Sequence, residues 1–121
     1  MENEAFEMLV RDAVLTLPIE FRQILENVEI TIEDMPSSFQ SRKLHLKNNQ
    51  ILFGLYEGVP KTKRGSSYGM VLPDKITIFK NPITSYGWSD AEMREHVRDV
   101  VLHEIGHHFG LSDREIRRAG K

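Results

Sequence analysis

The segment from His103 to Asp113, HEIGHHFGLSD, follows the pattern H-E-x-x-H-x-x-G-x-x-D. Its residue types and spacing suit the binding of one catalytic metal ion. Four residues along a helix correspond to about 40° of rotation and roughly 6 Å of rise. His103 and His107 can therefore bind a single ion from one helix face. Glu104 lies beside them, placed to work on a water at the ion rather than to ligate the ion itself. Gly110 can leave the helix with a positive φ and turn the chain back. Three further residues reach at most about 10 Å and bring Asp113 toward a third ligand position. With 5 His and 12 Glu in 121 residues, H-E-x-x-H arises by accident in about 2% of shuffled chains. Requiring the Gly and then an Asp or His lowers that to roughly 1 in 10,000, which disfavours a surface helix that merely carries histidines.

A long helix has to hold these groups. Ser89 with Glu92 three residues on is a capping-box pattern, and the helix it starts runs about 30 Å to Phe109. At 100° per residue, Met93, Val97, Val100, Val101, Leu102, Ile105 and Phe109 cover an arc of roughly 200°. That width predicts a central helix, packed on a sheet and on another helix. Glu92, His96, Asp99, His103 and His107 fall in the opposite sector, facing a cleft or solvent. Gly106 costs about 1 kcal/mol in a helix interior, and close approach of a neighbouring element is the expected compensation.

The same projection sorts the other histidines. His108 falls in the apolar arc and is expected to be buried and hydrogen-bonded. His96 sits about 10 Å from His103 along the axis, too far to share its ion; it can line the cleft or be exposed, and exposure is the favoured reading. His45 stands in a basic polar segment with no visible partner. Asp99, one turn before His103, has two readings: an acceptor for an imidazole N–H, or a solvated helix face.

Upstream, Phe6, Leu9, Val10, Ala13, Val14 and Leu17 keep helical spacing over residues 4–16. Pro18 ends that run and can start a second short helix through Ile24 and Leu25. Val28, Ile30 and Ile32 alternate with polar residues as in a half-buried strand. Ile51–Tyr56 and Lys75–Lys80 read as further strands, with the loop KTKRGSSYG at 61–69 between them. Helices at both ends with strands between give an α+β chain, and 121 residues give a single domain over 1–121.

Composition narrows the function classes. No apolar run approaches the roughly 20 residues of a membrane span, the N-terminus is acidic, and there is no Cys for disulfides or thiolate ligands. A soluble, cytoplasmic protein is expected. Residues 1–35 carry 9 acidic and 2 basic side chains, whereas residues 36–80 carry 8 basic and 2 acidic. The basic residues cluster at Arg42, Lys43, Lys47 and at Lys61, Lys63, Arg64, with no aromatic residue interleaved in KTKRG. That argues for a solvated loop rather than a nucleic-acid surface. The basic side can alternatively favour acidic substrates.

The segment VVLHEIGHHFGLSD, with LFGLYEGVP and MVLPDKITIFKNPI upstream, resembles a family of small bacterial zincin-like metallopeptidases over nearly the whole chain. The resemblance implies a minimal zincin fold: a small twisted mixed sheet backed by helices, with the motif helix crossing beneath it. It implies one Zn²⁺ per chain on His103, His107 and Asp113, with Glu104 as general base. A peptide or small protein is the expected substrate, and the composition above argues against nucleic acid or a membrane as partner. Zinc with three protein ligands keeps a fourth position for water and lowers that water's pKa toward about 7. Tyr68, Tyr86 and His96 are candidates for a further donor to the developing oxyanion, each also readable as structural. A sheet edge beside the motif helix is expected to hold a peptide by strand addition.

One departure from larger relatives stands out. Metzincins carry histidine where this chain has Asp113, and a methionine turn follows; here the eight residues after Asp113 include no Met. The lower wall of a full protease cleft is thus expected to be missing, so that long polypeptides bind weakly or a partner completes the site. Two other readings follow from the same residues. One is a metal-binding module without efficient turnover of its own, since fold does not fix function. The other is an Fe(II) site on two His and one carboxylate, in which Glu104 has no role.

Overall fold

The computed structural model describes residues 1–43, 52–58 and 74–108, with 110, 112, 114, 115 and 118; at Lys43 and His107 it describes the backbone alone. The order of elements is α1 (Asn3–Leu15), α2 (Ile19–Leu25), β1 (Val28–Glu33), α3 (Ser38–Lys43), β2 (Gly54–Glu57), β3 (Asp74–Phe79), α4 (Lys80–Thr84) and α5 (Asp90–His108). Helices flank a three-stranded mixed sheet of order β1-β3-β2. β1 pairs with β3 in parallel, Ile30 beside Ile76, and β2 pairs with β3 antiparallel, Tyr56 beside Ile76. This is the α+β arrangement with a small mixed sheet and a C-terminal motif helix that the sequence predicts.

Local chemistry sets most of the boundaries. Helical spacing in α1 puts Phe6, Leu9, Val10 and Ala13 on one buried face. At its end the Thr16 hydroxyl donates to the Ala13 carbonyl, and Pro18 occupies the N-cap of α2, as expected. α3 lies in a stretch for which the sequence reading assigns no helix. Its signal is an S-x-x-Q box: the Ser37 amide donates to Gln40 Oε1 at 2.8 Å, and the Gln40 amide to the Ser37 hydroxyl at 3.0 Å. Gln40 Nε2 then reaches Glu57 Oε1 at 3.4 Å and ties α3 to β2. β3 ends one residue earlier than expected, because Lys80 begins α4. Of the expected strand at 51–56, Ile51 lies outside the described residues, as does the 61–69 loop.

One core joins both ends of the chain. Phe6, Leu9 and Val10 of α1 meet Ile76 and Ile78 of β3, and Val97, Val101 and Ile105 of α5. Those three α5 residues are fully buried. At about 1.5–3 kcal/mol for each such side chain, the core fixes the rotation of α5 and with it the direction of the opposite face. Of the wide apolar arc, Met93 and Leu102 are also buried and Val100 is half-buried against the core, and Gly106 is buried. Phe109 lies outside the described residues. A groove of about 560 Å³ between α1 and β1, lined by Val10, Val14, Leu15, Ile30 and Ile32, lies at the sheet edge opposite β2.

The crossing of α5 beneath β2 depends on Gly54. A Cβ at this position would lie 2.6 Å from Val100 Cγ1 and 3.3 Å from the Thr77 carbonyl oxygen. Neither neighbour is the end of a flexible chain. Gly54→Ala is expected to cost about 1–3 kcal/mol through overpacking, read as a lower midpoint in denaturant titration. An unchanged midpoint would show that the helix shifts away without loss.

Candidate active site on the C-terminal helix

α5 begins where the sequence places its cap. The Ser89 amide donates to Glu92 Oε1 at 3.0 Å, and the Glu92 amide to the Ser89 hydroxyl at 3.2 Å. These bonds hold the Glu92 carboxyl below its ordinary value of 4.5. From here the helix runs without interruption through His103 and Glu104 to His108.

His103 is half-buried, and its Nδ1 lies 2.7 Å from the backbone carbonyl oxygen of Asp99. A carbonyl only accepts, so Nδ1 carries the hydrogen and the lone pair of the neutral ring falls on Nε2. Of the two readings of Asp99, its exposed side chain fits the solvated helix face, while the acceptor for the imidazole N–H is its main-chain carbonyl. Metal-ligating histidines commonly have their second nitrogen fixed by such a bond. Glu104, the next residue, is half-buried on the same helix. The backbone of His107 continues α5, four residues after His103; its side chain, and Asp113 as a whole, lie outside the described residues. Among the described residues no three His, Cys, Asp or Glu side chains converge as a metal site.

The turn that leads toward Asp113 is partly described. Gly110 has φ +77°, the left-handed conformation expected of it. Ser112 and Glu115 then form a second capping box: the Glu115 amide donates to the Ser112 hydroxyl at 3.2 Å, and that hydroxyl donates to Glu115 Oε1 at 3.0 Å. The signal, S-D-R-E, stands in the sequence beside the motif and escapes a reading centred on Asp113 alone.

Two histidines differ from expectation. His96 is half-buried rather than exposed, because residues just before β2 and α5 close over it. Its ring meets Phe53 edge-on at 4.5 Å between centroids and Trp88 at 4.7 Å, and Trp88 stacks on Tyr86 at 4.6 Å. His96 Nε2 is buried with no hydrogen-bond partner among the described residues. Burial pushes the His96 pKa below its ordinary 6.5, against a weaker upward pull from Asp99. A depressed folded-state pKa favours the neutral ring, so this contribution to stability is complete above about 6.5 and is lost as pH falls through the folded value. Melting temperature is expected to fall more steeply below that pH in the parent than in His96→Phe, which keeps a ring against Phe53 and Trp88. Equal slopes would remove His96 as the cause.

His108 is exposed rather than buried. At the last turn of α5 the core-facing arc meets the rim of the sheet, and one aromatic face replaces the core. That face is Tyr56 of β2, stacked on His108 at 3.9 Å and 21°. The Tyr56 hydroxyl donates to Asp74 Oδ2 at 2.6 Å. Neither Tyr56 nor Asp74 stands out as functional in the sequence, because they are 18 residues apart and 34 or more from His108. Of the proposed oxyanion donors, Tyr86 is exposed and stacked on Trp88, and Tyr68 lies outside the described residues. His45, Lys47, Lys61, Lys63 and Arg64 lie outside them as well.

Among the described strands, β2 is the outer one that packs against α5. Among the described residues no strand covers its outer side. No described helix is long and apolar enough to cross a membrane. In comparison with known proteins, a family described as zincin-like metallopeptidase matches residues 25–121, four-fifths of the chain. No curated protein matches.

Proposed function

The chain belongs to the zincin-like metallopeptidase family, and from that premise we propose that it is a zinc-dependent peptidase acting on peptides or small proteins. The observation that carries the reading is the family match across the H-E-x-x-H helix, in which His103 already has the tautomer of a ligand.

His103, His107 and Asp113 would hold the zinc, which when bound lowers the pKa of a water and stabilises charge developing on a carbonyl oxygen. The residues of the chain supply the rest. The His103 ring is oriented by its bond to the Asp99 carbonyl, which would leave Nε2 to hold the zinc. Glu104 accepts the proton of the attacking water and delivers it to the leaving amine. Core burial of Val101, Leu102 and Ile105 around these two residues keeps both from rotating between the steps. An extended substrate would lie along β2 beside α5, held by strand addition.

A mixed peptide library read by mass spectrometry tests this. New fragments are expected with the zinc-loaded chain, absent after chelation and restored by added zinc. Absence of cleavage by zinc-loaded protein across the library would contradict it and leave a metal-binding module.

A further inference from the structure

The described part of helix α5 runs to His108, and Gly110, two residues on, has the left-handed conformation that follows a helix end. The last four carbonyls of a helix have no partner within it, and helix termini open at far lower cost than core segments. The two proposed histidine ligands therefore stand on unequal ground. His103 sits between buried Leu102 and Ile105, whereas residue 107 is in the final turn, the part most prone to open. A ligand there needs its own anchor.

The structure supplies one next to it. The His108 ring lies flat on Tyr56 at 3.9 Å. The Tyr56 hydroxyl bonds Asp74 Oδ2 at 2.6 Å, a short contact of the strong kind made by an O–H to a carboxylate. Asp74 is only 9% exposed and opens β3, whose Ile76 and Ile78 are fully buried. On another side, a Cβ at Gly58 would fall 3.0 Å from His108 Cε1, so the backbone after β2 comes close to the imidazole. The last turn of α5 is thus tied through Tyr56 and Asp74 to the most buried strand.

We infer that Tyr56, Asp74 and His108 form a clamp between sheet and helix that positions the proposed ligand His107 for zinc. The clamp rests on the zinc-site reading above. Its members act as positioning residues, holding the turn that carries the proposed ligand. Without the clamp the last turn opens, and zinc binding has to close it again, so the loss appears in metal affinity before it appears in fold.

Zinc affinity by competition with a chromophoric chelator, with the visible absorption of the cobalt-loaded protein, tests this on Tyr56→Phe and His108→Ala. Ile83→Val, which thins the core in α4 away from the clamp, controls for general destabilisation. Both clamp variants are expected to weaken zinc by about 10- to 100-fold, the range for partners that orient ligands, and to alter the cobalt bands. Ile83→Val is expected to match the parent in both. Parent-like affinity and cobalt spectrum in Tyr56→Phe and His108→Ala would overturn the clamp alone, as would an equal loss in Ile83→Val. A parent that binds no zinc would overturn the zinc site and the clamp together.

Discussion

Glu104→Gln is expected to retain zinc while peptide hydrolysis falls by about 100- to 10,000-fold, the range for loss of a general acid–base group. The substitution keeps size and shape but removes the basic oxygen that takes a proton from water. Glu104 is half-buried on α5 between His103 and the fully buried Ile105, so the variant should leave the helix in place. A single library peptide, followed for turnover at equal zinc occupancy, makes the comparison. The loss should fall on kcat, because the proton is moved in the transition state rather than in the bound ground state. Turnover equal to the parent's would remove Glu104 from the mechanism.

His103→Ala is expected to lower zinc affinity by at least about 100-fold, since even the loss of a group that only orients a ligand costs roughly 10- to 100-fold. Hydrolysis should be lost with the metal. The apo fold should survive, because the ring lies on the polar sector of a helix whose opposite side is held by Val97, Val101 and Ile105. Its Nδ1 bonds the Asp99 carbonyl, in its own helix. Far-ultraviolet circular dichroism of the apo variant should match the parent. Parent-like zinc affinity with that fold intact would mean His103 is no ligand.

Short-range physics made the motif helix legible from sequence. The Ser89–Glu92 box, the i, i+4 spacing of the histidines, the apolar arc and the positive φ at Gly110 each depend on residues within a few positions of one another. Period-two alternation likewise revealed β1 and β3. The same rules were present but unread at Ser37–Gln40 and Ser112–Glu115, where a Ser and a Gln or Glu three apart start a helical turn. Contacts between distant segments were the illegible part. The parallel pairing of β1 with β3, the aromatic packing around His96 and the bond from Tyr56 to Asp74 arise only once the sheet is assembled. His108 shows the limit plainly: a helical projection gives the side of the helix a residue faces, and not whether core or sheet rim lies there.

The peptidase reading depends first on a metal. Elemental analysis of protein purified without a metal-affinity tag, beside His103→Ala and Asp113→Ala, tests it most directly. The expected result is one zinc per chain in the parent and none in either variant. A parent without zinc, or zinc retained in His103→Ala, would contradict the account.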